Sequence, residues 1–153
     1  MIVLDVDGVL TDGSIIVGSD GGEYKRFNVH DGYGITRAHQ KGMKFAIISG
    51  RESKVTTIRA ERLKITEVYQ GNEDKLTVFQ NIKAKFNLEY ADVCFMGDDE
   101  FDLPLLRKVG VSFAPADAME KVCREVNYVS SLPSGRGAVR EIIDMILTAK
   151  KLI

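Results

Sequence analysis

Short runs of apolar residues recur along the chain at a length typical of buried β-strands. They predict strands over residues 2–4, 45–48, 67–69, 93–96, 111–113 and 128–129. Most of these runs are apolar throughout and do not alternate with polar residues. Such uniform runs are typical of strands that are buried on both faces of a parallel sheet.

Between most of the predicted strands lie amphipathic stretches with apolar residues at helical spacing. Helices are predicted over residues 33–41, 53–63, 74–86 and 139–152. Strands that alternate with helices favour a parallel sheet with a helical layer on each face. The pattern therefore predicts an α/β fold with a Rossmann-like, doubly wound parallel sheet.

One segment interrupts this alternation directly after the first strand. Residues 14–17 and 23–27 are strand-like and flank a glycine-rich turn at 18–22, which predicts a β-hairpin. We expect this hairpin, at about residues 14–29, to overhang the end of the first strand as a small flap. Residues 130–137 are predicted to form a loop before the last helix. A single domain over residues 1–153 is expected, with no room for a cap domain.

Composition and charge narrow the functional classes. Hydrophobic residues make up 44% of the chain, which argues against disorder, and the formal net charge of −1 gives no electrostatic reason to bind nucleic acid. No apolar run approaches the ~20 residues needed to cross a bilayer, and the four residues before Asp5 leave no space for a signal peptide. Cys94 and Cys123 are expected to be free thiols in a reducing compartment, so we expect a cytoplasmic protein without membrane contact.

Polar residues cluster where the predicted strands end. Asp5 and Asp7 follow the first strand, and residues 49–51, 71–75 and 97–102 follow later ones. Any one cluster is explained as well by an ordinary turn, because glycine, serine and aspartate favour turns. Turns alone do not readily explain why all four clusters occur at the ends of strands of one sheet. Because open α/β sheets bind ligands at the carboxyl ends of their strands, we expect these clusters to form one site.

The residue types in these clusters indicate phosphoryl transfer. Asp5, Asp7 and Asp98 offer the hard oxygen ligands that Mg²⁺ prefers, and a divalent cation would remove their mutual repulsion. The expected phosphate-binding groups are the Ser49 hydroxyl, the Gly50 backbone N–H and the Lys75 ammonium. A metal and a lysine around a carboxylate suggest a reaction through an aspartyl-phosphate.

These motifs resemble the phosphatase branch of the haloacid dehalogenase superfamily. The resemblance rests on Asp5-x-Asp7-Gly8-Val9-Leu10-Thr11-Asp12-Gly13, Ser49-Gly50-Arg51, Lys75 and Gly97-Asp98-Asp99-x-x-Asp102. It implies that Asp5 is the nucleophile and that Asp7 is the general acid and base. It also implies that Asp5, the main-chain carbonyl of Asp7, and Asp98 hold Mg²⁺, while Ser49, Gly50 and Lys75 grip the phosphoryl group. Asp99 and Asp102 would lie behind these groups, with Asp102 orienting Lys75 or a metal-bound water.

Two further segments, at 27–34 and 134–141, resemble the 3-deoxy-D-manno-octulosonate (KDO) 8-phosphate phosphatases, which are capless members of the superfamily. This resemblance implies hydrolysis of KDO 8-phosphate to KDO and phosphate in lipopolysaccharide precursor synthesis. It also implies a homotetramer in which the hairpin and the C-terminal loop of one subunit close the site of another. The implied substrate-binding residues are Asp7, Asn28, Val29, His30, Asp31, Gly32, Arg51, Arg59 and Lys75, and Arg136 would reach a neighbouring site.

Some positions depart from the family pattern or allow a simpler interpretation. His30 stands where arginine or leucine is common, Thr36 where some members have a basic residue, and Ser134 where glycine is frequent. These departures concern contacts to the sugar and leave the phosphate chemistry unchanged. Arg59 is equally compatible with a solvated helix face, and Arg136 with an exposed loop.

Other functions differ from this one at identifiable residues. Phosphatases of nonulosonate 9-phosphates (of KDN or N-acetylneuraminate) can carry glutamate at the position of Arg51. Receiver-like signalling domains also cluster aspartates around a lysine, but they need no acid and base at the position of Asp7. A non-catalytic regulatory domain would not need the intact set of Asp5, Asp7, Ser49, Lys75 and Asp98.

Overall fold

The computed structural model describes residues 1–153 and is built around a six-stranded parallel sheet. The strands are β1 (Ile2–Leu4), β2 (Ile16–Val17), β3 (Glu23–Tyr24), β4 (Phe45–Ser49), β5 (Glu67–Gln70), β6 (Cys94–Met96), β7 (Val111–Ala114) and β8 (Tyr128–Val129). The helices are α1 (Val29–Gln40), α2 (Lys54–Arg62), α3 (Lys75–Phe86), α4 (Leu103–Leu106), α5 (Glu120–Glu125) and α6 (Ala138–Ala149).

The strand order of the main sheet is β5-β4-β1-β6-β7-β8. The chain winds outward from β1 through β4 to β5, and then crosses back to continue on the other side from β6 to β8. The winding direction therefore changes between β1 and β6, which pair in parallel. The carboxyl ends of these two strands form the crevice in which doubly wound sheets bind ligands.

Helices cover both faces of this sheet. Ile2 and Leu4 of β1 belong to one buried cluster, which includes Ile142 of α6. Val3, between them, points to the opposite face and belongs to a second cluster with Phe79 of α3. This alternation confirms the predicted doubly wound α/β fold and explains why the central strands are apolar throughout. The edge strand β5 is only half-buried.

The structure corrects several predicted boundaries. Helix α1 begins four positions before the predicted start, because the Asn28 side chain accepts a hydrogen bond from the His30 N–H at 2.7 Å and caps the helix. Residues 29–32 therefore form its first turn. Helices α4 and α5 were not predicted. They have four and six residues, which is too short to display helical periodicity in the sequence.

The predicted flap is present as a separate two-stranded antiparallel sheet, β2–β3. Its paired strands are shorter than the sequence suggested, with two residues each. Several of its apolar side chains are exposed, among them Val17 at 67% and Tyr24 at 57%.

None of the helices combines the length and the apolar character needed to cross a membrane.

Candidate active site

The two carboxylates that open the chain lie where β1 ends. The backbone N–H of Asp5 donates to the Met96 carbonyl at 3.1 Å, so the nucleophile candidate continues the pairing with β6. The chain then turns at Gly8, whose φ is +87°. A Cβ at Gly8 would collide with the Asp98 carboxylate. Glycine is required here because the backbone turns through a left-handed conformation and lies against an acidic side chain.

Asp5 is almost completely buried and is held from two directions. Its Oδ1 accepts a hydrogen bond from the Val6 N–H at 2.7 Å, and its Oδ2 lies 2.9 Å from the Lys75 Nζ. Burial raises the pKa of Asp5 to about 6, although the Lys75 charge acts in the opposite direction. The carboxylate is thus fixed in place beside a cation, as a nucleophile toward a phosphoryl group requires.

Lys75 is the first residue of α3, and its side chain is completely buried. Its Nζ also lies 2.6 Å from the Oδ1 of Asp102. The Oδ2 of Asp102 accepts from the backbone N–H groups of Asp98, at 2.9 Å, and Asp99, at 3.3 Å. Burial opposes the ammonium form, but the two carboxylates together raise the pKa of Lys75. Asp102 therefore contacts both Lys75 and the backbone of the loop after β6.

A cation site is formed where three carboxylates converge. Oxygen atoms of Asp5, Asp98 and Asp102 all lie within 4.8 Å of one another. The Oδ1 of Asp98 is buried and has no hydrogen-bond partner. Burial, followed by the charges of Asp5 and Asp102, raises the pKa of Asp98 to about 8. A buried carboxylate oxygen without a partner is costly unless a cation binds it, and the all-oxygen donor set fits Mg²⁺.

The Asp7 carboxylate is not part of this acidic cluster. It faces the flap, where the Nζ of Lys25 lies 2.7 Å from its Oδ1 and 2.9 Å from its Oδ2. This arrangement is compatible with the expectation that Asp7 binds a metal through its main-chain carbonyl and keeps its carboxylate for proton transfer. Lys25 was missed in the sequence. The sequence offered one signal for it: Lys25 lies two residues after Glu23 in the predicted hairpin, and alternate residues of a strand share a face. Lys25 and Glu23 could therefore be expected to point to the same side of the hairpin.

A cleft of about 170 Å³ is lined by 7 residues, five of which are predicted site residues. It is lined by Asp5, Asp7, Ser49, Gly50, Arg51, Glu73 and Phe101. The Ser49 hydroxyl donates to the Arg51 carbonyl at 3.1 Å, and the Arg51 guanidinium pairs with Glu23 of the flap at 2.8 Å. Glu73 and Phe101 were not predicted. They lie in loops and turns, where no periodic pattern marks a residue as site-facing.

The remaining predicted substrate residues lie outside this cleft. Asp31 is buried, and its carboxylate accepts from the backbone N–H groups of Gly137 at 3.3 Å and Arg140 at 2.8 Å, at the start of α6. Arg59 donates to the Asn28 carbonyl at 3.2 Å. Seven predicted substrate-binding or neighbouring-site residues do not line the cleft: Asn28, Val29, His30, Asp31, Gly32, Arg59 and Arg136. Their roles toward substrate stay predictions.

The C-terminal loop at 130–137 is fixed against the first motif. The Gly135 N–H donates to the Val9 carbonyl at 3.1 Å, and Asn28 donates through its side-chain amide to the Gly135 carbonyl at 3.3 Å. Ser134, which departs from the family pattern, donates through its hydroxyl to Asp117 at 2.9 Å. Arg136 is exposed beside a cavity of about 220 Å³ that Asp12 and Asn28 also line.

A larger cavity, of about 580 Å³, lies at the opposite end of the sheet, where Met1, Cys94 and Val111 line it. These residues lie at the amino ends of β1, β6 and β7. Most of its lining is hydrophobic, and no cluster of candidate metal ligands is found there. Because parallel sheets carry their chemistry at the carboxyl ends, the smaller cleft is the candidate active site.

Comparison with known proteins agrees with the resemblance seen in the motifs. A model of the haloacid dehalogenase-like hydrolases matches residues 52–143. The 3-deoxy-D-manno-octulosonate 8-phosphate phosphatase of Escherichia coli (strain K12) is 44% identical over 150 residues, which cover 98% of this chain and 80% of that protein.

Solved structures agree with the fold. The 3-deoxy-D-manno-octulosonate 8-phosphate phosphatase of Yersinia pestis superposes with a TM-score of 0.96 at 43% identity, covering 98% of this chain and 81% of that one. The enzyme of the same name from Moraxella catarrhalis was solved in complex with a magnesium ion, a phosphate ion and KDO. It gives a TM-score of 0.95 at 38% identity, with coverages of 97% and 85%.

Proposed function

Because this chain belongs to the haloacid dehalogenase-like hydrolases, we propose that it is a Mg²⁺-dependent phosphatase that converts KDO 8-phosphate to KDO and inorganic phosphate. The observation that carries this proposal is the buried Asp5, held against Lys75 at 2.9 Å, with Asp98 beside it and Asp7 at the mouth of the same cleft. The reaction supplies a precursor for lipopolysaccharide synthesis.

The first half of the reaction transfers the phosphoryl group to the protein. A carboxylate oxygen of Asp5 attacks phosphorus, the bond between phosphorus and the sugar oxygen breaks, and Asp7 gives its proton to that oxygen. Ser49, the Gly50 N–H and Lys75 bind the oxygens of the phosphoryl group. Asp5 and Asp98 would hold Mg²⁺, which would supply positive charge against the negative charge of the phosphoryl group and the carboxylate.

The second half restores the protein. The Asp7 carboxylate, which has just lost its proton, accepts a proton from a water molecule as that water attacks phosphorus. The bond between phosphorus and Asp5 breaks, phosphate leaves, and Asp5 is again a carboxylate. One residue therefore acts first as acid and then as base, which explains why the chemistry needs a second carboxylate two positions after the nucleophile.

The sugar acid is the proposed substrate because its carboxylate suits a planar guanidinium. Arg51 lies at the mouth of the cleft and provides this group. All three named relatives act on KDO 8-phosphate according to their names. A nonulosonate 9-phosphate is the disfavoured alternative, because phosphatases of that kind can carry glutamate where this chain has Arg51.

We further propose a homotetramer with shared active sites. The flap exposes Ile15, Ile16, Val17 and Tyr24, which is more apolar surface than a small hairpin usually leaves in water. Arg136 is exposed outside its own chain's cleft and would be available to a neighbouring one. Gel filtration with light scattering tests this assembly, and a monomer with full activity would contradict it.

The cytoplasm is the proposed compartment, supported by the free thiols of Cys94 and Cys123.

A phosphatase assay tests the proposed activity. KDO 8-phosphate, nonulosonate 9-phosphates and hexose phosphates should be compared at equal enzyme concentration, with Asp5→Asn as the inactive control. We expect kcat/KM to favour KDO 8-phosphate by about 100-fold, which corresponds to about 2.7 kcal/mol in transition-state binding. Equal rates on hexose phosphates would contradict the substrate, and turnover by Asp5→Asn would contradict the mechanism.

A further inference from the structure

Lys25, on the flap, is a buried charged residue for which the proposed reaction gives no role. Its side chain is 0% exposed, and its Nζ contacts both oxygens of Asp7, at 2.7 Å and 2.9 Å. These are the only hydrogen bonds that the Asp7 carboxylate makes within the chain. The orientation of the proposed acid and base therefore depends on a residue from the flap.

The burial of Lys25 is not explained by the packing of the flap. Its neighbours on either side are exposed, Tyr24 at 57% and the Arg26 side chain at 71%. A buried ammonium is unfavourable unless a carboxylate pairs with it in good geometry. A hairpin with two residues in each strand has little stability of its own. Lys25 is thus directed into the site by its contact with Asp7.

The rest of the flap is arranged to hold Lys25 in this position. Glu23, on the same face of the hairpin, accepts hydrogen bonds from Arg51 at 2.8 Å and from the Ser53 hydroxyl at 2.7 Å. Its Oε1 lies 3.8 Å from the Lys25 Nζ. Arg51 and Ser53 follow β4, so they connect the flap to the main sheet. The flap strand is therefore anchored directly above Asp7.

A carboxylate has about four lone-pair positions, and a lysine that contacts both oxygens occupies only two of them. The other two stay available for the proton that Asp7 transfers and for a hydrogen bond to a leaving oxygen or a water. Asp5 differs, because it already has a backbone donor in Val6. Without Lys25, Asp7 would keep no hydrogen-bonding group that fixes the plane of its carboxylate.

We propose that Lys25 is a positioning residue that orients Asp7 for proton transfer to the leaving oxygen. This inference rests on the proposed function, in which Asp7 is the acid. A misplaced acid slows the release of a poor leaving group, which must be protonated, much more than that of p-nitrophenolate, which leaves without a proton. A comparison of rates for the two kinds of leaving group therefore distinguishes a positioning role of Lys25 from a general role in flap structure.

The test measures kcat/KM with Mg²⁺ for phenyl phosphate and p-nitrophenyl phosphate, neither of which carries a sugar. We expect Lys25→Met to lower kcat/KM for phenyl phosphate by about 10- to 100-fold, and for p-nitrophenyl phosphate by less than about threefold. In an Asp7→Asn background, Lys25→Met should cost less than about twofold further, because its effect acts through Asp7. Arg26→Met is the matched control, since it removes the adjacent, exposed cation of the flap, and it should leave both values unchanged.

Equal losses on both substrates, or losses that multiply in the double variant, would overturn the proposal and assign Lys25 a general role in flap structure. Lys25→Gln, which keeps a hydrogen-bond donor, provides a second variant if Lys25→Met does not fold, and it should retain part of the phenyl phosphate activity. The proposed function fails separately. It fails if the wild type hydrolyses neither ester or if Asp5→Asn stays active, whereas an active wild type with an unchanged substrate ratio in Lys25→Met overturns only the role of Lys25.

Discussion

The proposed active site has two halves that are built in different ways. The half at the sheet edge contains Asp5, Lys75, Asp98 and Asp102, whose positions are fixed by β1, β6 and α3 and by backbone hydrogen bonds. The flap half contains Asp7 and Lys25, joined by side chains alone across a short hairpin. The proposed nucleophile and metal site are thus placed by the buried core, whereas the proposed acid is placed by an ion pair with the flap.

The largest effect is expected at the nucleophile. Asp5→Asn should reduce turnover by more than about 10⁴-fold, because Asp102, the other carboxylate beside Lys75, does not line the cleft and cannot replace it. Circular dichroism should show an intact fold, since asparagine has nearly the same shape. Asp20→Asn, in the exposed turn of the flap, is the control and should remain fully active. Retained activity in Asp5→Asn would remove Asp5 from its role.

The acid in the flap half should matter less than the nucleophile. Asp7→Asn is expected to lower kcat by about 10²- to 10⁴-fold, which is the usual contribution of general acid–base catalysis. Steady-state rates with KDO 8-phosphate measure this effect. A loss as large as that of Asp5→Asn would mean that Asp5 and Asp7 act as one unit. The division of the site into a sheet-edge half and a flap half would then be wrong.

The two lysines should differ in their effect on stability. Lys75→Met leaves Asp102, whose side chain is 0% exposed, without its cation, and should lower the free energy of unfolding by about 3–5 kcal/mol. Lys25→Met leaves Asp7 with its side chain 19% exposed to water, and should cost about 1 kcal/mol. Urea denaturation without metal measures both. Equal losses would contradict the distinction between core and flap.

Metal binding should depend on pH at the sheet-edge half. The pKa of Asp98 is raised to about 8 in the metal-free protein, so a cation must displace its proton below that pH. Affinity for Mg²⁺ should therefore increase with pH up to about 8, by at most about tenfold per pH unit for this one proton. Calorimetry in buffers of different ionisation enthalpy would detect the released proton.

The proton on Asp98 also determines whether the stability of the metal-free protein rises or falls with pH. The folded pKa of Asp98 lies above its ordinary value of 3.8, so metal-free stability should fall as pH rises toward about 8. Asp98→Asn should remove the part of this dependence that lies above about pH 6, the raised pKa of Asp5, and should weaken Mg²⁺ binding at every pH. An affinity that does not change with pH in the wild type would contradict the raised pKa.

The sequence predicted the sheet-edge half well, for physical reasons. Asp5 directly follows a uniformly apolar strand and Asp98 follows another after one glycine, and the carboxyl ends of parallel strands meet at one edge. Lys75 could be placed because it opens a long amphipathic helix. In these cases the residue's place in the fold follows from a regular element next to it.

The flap half was predicted only in outline. The glycine-rich turn indicated a hairpin, but periodicity does not reveal which flap side chain reaches Asp7, because that contact spans 18 residues of sequence between irregular segments. The early start of α1 was missed for a similar reason, since a single cap at Asn28 decides it. Side-chain contacts between loops carry no repeating signal.

The central claim is that Asp5 becomes phosphorylated during turnover. It is tested most directly by mixing Asp7→Asn with p-nitrophenyl phosphate and Mg²⁺ in a stopped-flow instrument, followed by acid quench and mass spectrometry. This substrate needs no acid to leave, but the next step needs a base. We expect a burst of about one p-nitrophenolate per active site and a phosphoryl group on the peptide that contains Asp5. The absence of a burst together with an unmodified Asp5, or a phosphoryl group on another residue, would contradict it.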